Sequence, residues 1–205
     1  ESKKLKYEIN SCFETMDIED SVFAPAKILI GYCGDNRNFS NIREEVFADA
    51  PIKNIPVVAN FYSDKNDFGG HDVKVVQTKD GIDIFAATIP FGLVPESAKQ
   101  WFTEEIVDGE MKKCFWTECL LWKRQYGFQK IAESKTVNHS MEIDAYEYTE
   151  RSDGYIVIDK MKFEALCLLG EDVEPCFEGA SFYTLQSTIE DIIYQLKNSR
   201  SAFRI

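Results

Sequence analysis

Met161-Lys162-Phe163-Glu164-Ala165-Leu166-Cys167-Leu168-Leu169-Gly170 is an apolar run of strand composition that stops at a glycine. Side chains alternate across a strand, so Glu164 shares a face with Leu166 and Leu168. A carboxylate on an otherwise apolar face is expected to be buried. Burial without a partner costs several kcal/mol or drives the group to take up a proton. Two readings fit: a histidine ring as partner, or a buried carboxylate held by a lysine or backbone amides.

Upstream, Asn138-His139-Ser140-Met141-Glu142-Ile143 alternates like a second strand. Serine is a weak nucleophile at neutral pH, and using one requires a base in hydrogen-bond reach that a third group orients. The chain has two histidines. His139 is next to Ser140 on the strand and should leave the opposite face. His71, in Phe68-Gly69-Gly70-His71-Asp72, is therefore the candidate base.

Further outward the chain reads as alternating elements. Lys27 to Cys33 is strand-like and Gly34 to Asn38 a turn. Asn41 reads as a helix cap with Glu44 at the capping-box position, before a short helix stopped at Pro51. Ile55 to Tyr62 is a strand, and the polar loop Ser63 to Gly70 delivers His71 to Val73 to Gln77. Lys79-Asp80-Gly81 turns that strand into Ile82 to Thr88, a hairpin. Pro95 to about Val107 reads as a helix, with Ala98, Trp101, Phe102 and Ile106 at helical spacing and Asp108-Gly109 ending it. Lys113 to Lys123 is a strand apolar on both faces, Tyr126 to Glu133 a short helix, and Tyr155 to Ile158 leads into the Glu164 strand. Ser187-Thr188-Ile189-Glu190 opens a C-terminal helix over about 185–198, with Ile192, Ile193 and Leu196 on one side. About seven strands and three or four helices give an α+β pattern, consistent with a closed, mostly antiparallel β-barrel flanked by helices.

Composition bounds the function. At 205 residues and 44% hydrophobic content, with no linker-like stretch, one domain spanning 1–205 is expected. No apolar stretch is long enough to span a bilayer, and no secretory pattern is present, so a soluble intracellular protein without a membrane partner is expected. The formal charge of −12 opposes nonspecific nucleic-acid binding. The six cysteines are scattered without a CxxC pair and read as reduced core residues. With two histidines on separate segments, no metal or other cofactor is expected.

The order of His71, Ser140 in Ser-Met-Glu-Ile, and Phe163 to Gly170, closing in Val173-Glu174-Pro175-Cys176-Phe177-Glu178-Gly179-Ala180, resembles the capsid-maturation (prohead) proteases of tailed bacteriophages. These share the fold of herpesvirus assemblin. The resemblance runs from about Gly31 to Ser181 and includes Asn54 to Val58 and Leu120 to Arg124. It implies a serine endopeptidase with His71 as base, Ser140 as nucleophile and Glu164 as third member, Asp159 and Glu142 being the alternatives to Glu164. The herpesvirus relatives use a second histidine there, and this chain has none after Ser140. The resemblance also implies backbone amides near Gly170 to Gly179 as oxyanion donors. Its implied substrates are phage scaffolding protein or the scaffold domain of the major capsid protein, and the protease itself. Its implied location is inside the procapsid in the host bacterial cytoplasm. Because the herpesvirus relatives pair through helices, the C-terminal helix suggests a weak homodimer.

Two other readings compete. The same residues could serve a non-catalytic head or scaffold-associated protein, since fold does not fix function. A metal-dependent hydrolase using His71, Asp72, His139 and Glu142 is disfavoured because strand parity divides those side chains between two faces.

Overall fold

The computed structural model describes residues 3–11, 22–71, 73–79, 81–134 and 137–173. In chain order the elements are β1 (Lys3–Ser11), β2 (Phe23–Tyr32), β3 (Gly34–Asp35), β4 (Ser40–Ile42), α1 (Glu44–Asp49), β5 (Pro56–Ala59), β6 (Phe61–Tyr62) and β7 (Asp67–Phe68). They continue with β8 (Val73–Thr78), β9 (Gly81–Ala86), β10 (Ile89–Leu93), β11 (Gln100–Val107), β12 (Glu110–Trp122), α2 (Phe128–Glu133), β13 (Val137–Glu150) and β14 (Ile156–Leu169).

The main sheet has the order β1-β13-β14-β5-β10-β12-β11, with β2 on the other edge of β12 and β4, carrying β3, beside the start of β14. It is an open, mixed sheet curled around one core. The expected closed antiparallel barrel of about seven strands flanked by helices is corrected in three respects. First, β14 is long enough to hold β4 at Ile156 to Ile158 and β5 at Leu166 to Leu168, both in parallel. Second, closure needs hydrogen bonds all the way round, and among the described residues no ladder joins β1 to β2. Third, helices are minor: α1 and α2 have 6 residues each.

The expected helix from Pro95 to Val107 is instead mostly β11. Asp108 and Gly109 have φ of 51° and 80°, the positive pair that a two-residue hairpin turn requires. They fold β11 onto β12 in unbroken register from Val107↔Glu110 to Gln100↔Thr117. Cross-strand aromatics hold the hairpin: Trp101 stacks on Trp116 at 6.0 Å, and the Phe102 ring lies 4.9 Å from Phe115. The apolar residues in this stretch match both periods, and the Asp-Gly turn decides between them.

Asn41 does not cap α1. It lies in β4, its amide donates to Asp35 Oδ1 at 2.6 Å, and the cap position belongs to Arg43. The β8–β9 hairpin forms as expected, as a separate two-stranded sheet on which Val73, Val75, Ile82 and Phe85 are exposed. The C-terminal helix over about 185–198, and the homodimer it suggested, lie outside the described residues.

The core side of β13 and β14 carries Met141, Ile143, Leu166 and Leu168, within a cluster that also takes in Ile28, Phe47, Phe91 and Phe115. The reverse face carries a second small cluster of Val58, Ala165, Cys167 and Leu169, with Val173 packed against it. Ser140 pairs with Cys167 across the ladder and so belongs to this reverse face.

Candidate functional site

Parity divides β13. His139, Met141 and Ile143 turn into the core, while Ser140, Glu142 and Asp144 line the reverse face. His139 is fully buried and separated from Ser140 by this alternation.

His71 reaches Ser140 from a loop that is pinned on several sides. The β6–β7 ladder closes the turn before it, pairing Phe61 with Phe68. Phe68 is buried and packs edge-on against Phe61 and Phe91. Gly69 N–H donates to Asn60 O at 2.7 Å, and Gly170 N–H donates to Gly69 O at 3.2 Å. Glu171 N–H donates to Asp67 Oδ2 at 2.9 Å, and Lys130 pairs with Glu171 at 2.7 Å. The histidine follows this anchored glycine pair at a bend.

The imidazole joins two residues of one strand. His71 Nε2 contacts Ser140 Oγ, and His71 Nδ1 lies 2.7 Å from Glu142 Oε1. An ionised carboxylate only accepts, so the proton sits on Nδ1, leaving Nε2 to accept from the serine hydroxyl. The His71 side chain is 9% exposed and that of Glu142 25%, so the pair is shielded from bulk water more than a surface contact is. Ser140 and Cys167 have no exposed surface.

Of the three residues singled out in sequence, His71 and Ser140 meet, and the carboxylate on the histidine is Glu142, not Glu164. Glu164 stands instead at a β-bulge further along β14, beside Lys162. The register passes from Glu142↔Ala165 to Ile143↔Phe163, leaving Glu164 as the extra residue of β14. The bulge breaks the alternation that had placed Glu164 with Leu166 and Leu168. Its side chain is 32% exposed, with Lys162 Nζ 3.8 Å from Oε1, and the same lysine is 3.4 Å from Asp144 Oδ2. Asp159 is also elsewhere, accepting from Arg43 at 3.0 Å and from Thr149 at 2.9 Å. Glu142 was legible in principle: two positions beyond Ser140 on an unbroken strand, it has to share the serine's face.

Of the segment expected to supply oxyanion donors, 170–173 is described and 174–179 is not. Asn138, next on the same face, donates to Gly170 O at 3.4 Å and to Val173 O at 3.3 Å, tying that turn to β13. A cavity of about 250 Å³ lined by Glu45, Asp49, Tyr146 and Asp159, among others, contains no histidine, serine or cysteine.

The other described cysteines are unsuited to thiolate chemistry. Burial, reinforced by Glu44, pushes the Cys33 thiol up to about 11, and burial with Glu105 pushes Cys114 up to about 12. Burial alone raises Cys119. No described helix is long and apolar enough to cross a membrane.

Residues 22–200 match a family model described as the YonD N-terminal domain. No curated protein and no solved structure matches the chain.

Proposed function

Because the chain belongs to the YonD N-terminal domain family, a name that states no chemistry, we propose its function from the site itself: a serine hydrolase that cleaves peptide bonds. The observation that carries this reading is the continuous chain Ser140 Oγ, His71, Glu142. His71 Nε2 takes the hydroxyl proton as Ser140 Oγ attacks the carbonyl carbon. The carbonyl π pair moves onto oxygen, and the tetrahedral intermediate collapses as His71 returns the proton to the leaving amine. Water then repeats the sequence on the acyl-enzyme and releases the acid. Glu142 keeps the proton on Nδ1 and stabilises the imidazolium that forms between the two transfers.

Ser140 is covered, so productive binding requires the polypeptide over this face to move aside. A nucleophile held in that way suits a protease that is latent until assembly. The substrate therefore follows the resemblance to prohead proteases: scaffolding protein or the scaffold domain of a capsid protein, and the chain itself.

The test is co-expression of the full-length protein with the capsid and scaffold proteins of its own source, read by intact-mass spectrometry after exposure to a serine-reactive phosphonate. The expected result is cleavage products, and a single adduct on Ser140, that both disappear in Ser140→Ala. Assembled particles with neither cleavage nor adduct in wild type would return the protein to the structural, non-catalytic role.

A further inference from the structure

The reverse face of the sheet brings a thiol to the same place as the imidazole and the carboxylate. Cys167 stands directly across the ladder from Ser140, is a reduced thiol and has no exposed surface. One ligand atom each from His71, Glu142 and Cys167 lies within 4.8 Å of the other two. A tetrahedral zinc ion with bonds of about 2.0–2.3 Å spaces its ligands about 3.3–3.8 Å apart, so no pair has to close in by more than about 1.5 Å, and the 2.7 Å His71–Glu142 contact opens slightly if Nδ1 is the ligand.

We infer that His71, Glu142 and Cys167 form a binding site for a zinc-class divalent cation, and that its occupation switches the hydrolase off. The donor set is one imidazole, one carboxylate and one thiolate, which suits zinc and not the oxygen-seeking magnesium or calcium. Charge favours it too. Thiolate and carboxylate together neutralise a divalent ion, so a shielded site holds the complex without net charge. On binding, the Cys167 S–H proton passes to solvent and a sulfur–metal bond replaces it. Sequence spacing gave no sign of this site because its ligands come from three separate segments.

Inhibition follows from the histidine having only two nitrogens. If Nε2 takes the ion, the Ser140 contact is lost; if Nδ1 takes it, the Glu142 contact is lost. Either way the relay is broken, so metal binding and catalysis exclude each other. This regulatory half rests on the hydrolase reading, whereas the binding half does not.

The experiment is a cobalt(II) titration of the full chain, followed by displacement with zinc. Phosphonate labelling of Ser140, in the chain assembled with its capsid and scaffold proteins, is then timed with zinc and with chelator. Wild type should develop a thiolate-to-cobalt charge-transfer band, and zinc should slow labelling reversibly. Cys167→Ser, which preserves volume, should lose the band. Removing a direct ligand should weaken zinc by roughly a hundredfold or more, at least as much as losing an outer-shell partner. In that variant the labelling rates with and without zinc should become equal. Cys167→Ala, with no donor at all, should behave likewise and decides the matter if the serine variant does not fold. An unchanged band or affinity in these variants would overturn the site, and labelling that requires the ion would overturn the inhibitory role. A wild-type cobalt band with no Ser140 labelling in chelator would leave the metal site standing and remove the hydrolase reading instead.

Discussion

Glu142 and Glu164 look alike in the sequence but occupy different environments. Glu142 sits 2.7 Å from His71 Nδ1 and fixes the tautomer that leaves Nε2 free to accept the Ser140 proton. Glu164 is displaced by the bulge to the side of Lys162, where a half-exposed ion pair contributes little. Glu142→Gln keeps the shape but offers an amide where an acceptor is needed. It should lower the rate of Ser140 labelling by about a hundred- to ten-thousandfold, the loss typical of a triad carboxylate replaced by its amide. Glu164→Gln should leave the rate unchanged. Timed intact-mass measurements on the two variants separate the roles, and the reverse ranking would give the third position back to Glu164.

The elements that matter most to the site are short. The β6–β7 ladder, the glycine pair and the turn after β14 hold His71 over β13, and Gly170 is where they come closest. A Cβ on Gly170 would lie 2.0 Å from Phe68 O, well inside contact distance and against backbone that cannot rotate away. Gly170→Ala should therefore push the 67–71 segment off β14. We expect a loss of about 1–3 kcal/mol, the usual cost of forcing extra volume into a packed site, together with slower Ser140 labelling. Urea denaturation read beside the labelling rate tests this; an unchanged midpoint would mean that the two segments are not held at this separation.

Across the molecule, one exposed ion cluster links distant parts of the chain. Arg151, in the connection from β13 to β14, holds Asp35 of β3 through bonds of 2.8 and 3.0 Å, and also pairs with Asp153. The Arg151 hydrogen bond lowers the Asp35 carboxyl below its ordinary range, and Asp153 is lowered by the same guanidinium. A carboxylate whose folded value is depressed stabilises the fold above its unfolded value of about 3.9, and that contribution is lost as pH falls through the folded value. Wild type should thus lose stability between about pH 4 and pH 2 more steeply than Asp35→Asn, which has no charge to lose there. Urea midpoints over that range check the sign. Parallel curves for the two proteins would mean that the pair carries no net stabilisation.

The sequence by itself determined the strands that bear the site. Alternation places Ser140 and Glu142 on one face and His139 on the other, because side-chain direction on a strand has a fixed period of two. It also left His71 as the histidine that meets Ser140, since His139 is excluded by that same period. Local pattern could not distinguish a helix from a hairpin over 95–107, where the apolar residues fit both, although the Asp108-Gly109 turn marks the hairpin. Only the tertiary structure decided three matters: the open, mixed sheet, the displacement of Glu164, and the approach of Cys167 to His71. All three depend on which strand edges pair and in what register. That is settled by hydrogen bonds between residues far apart in the chain, and a single β-bulge there reverses the face that every later side chain presents.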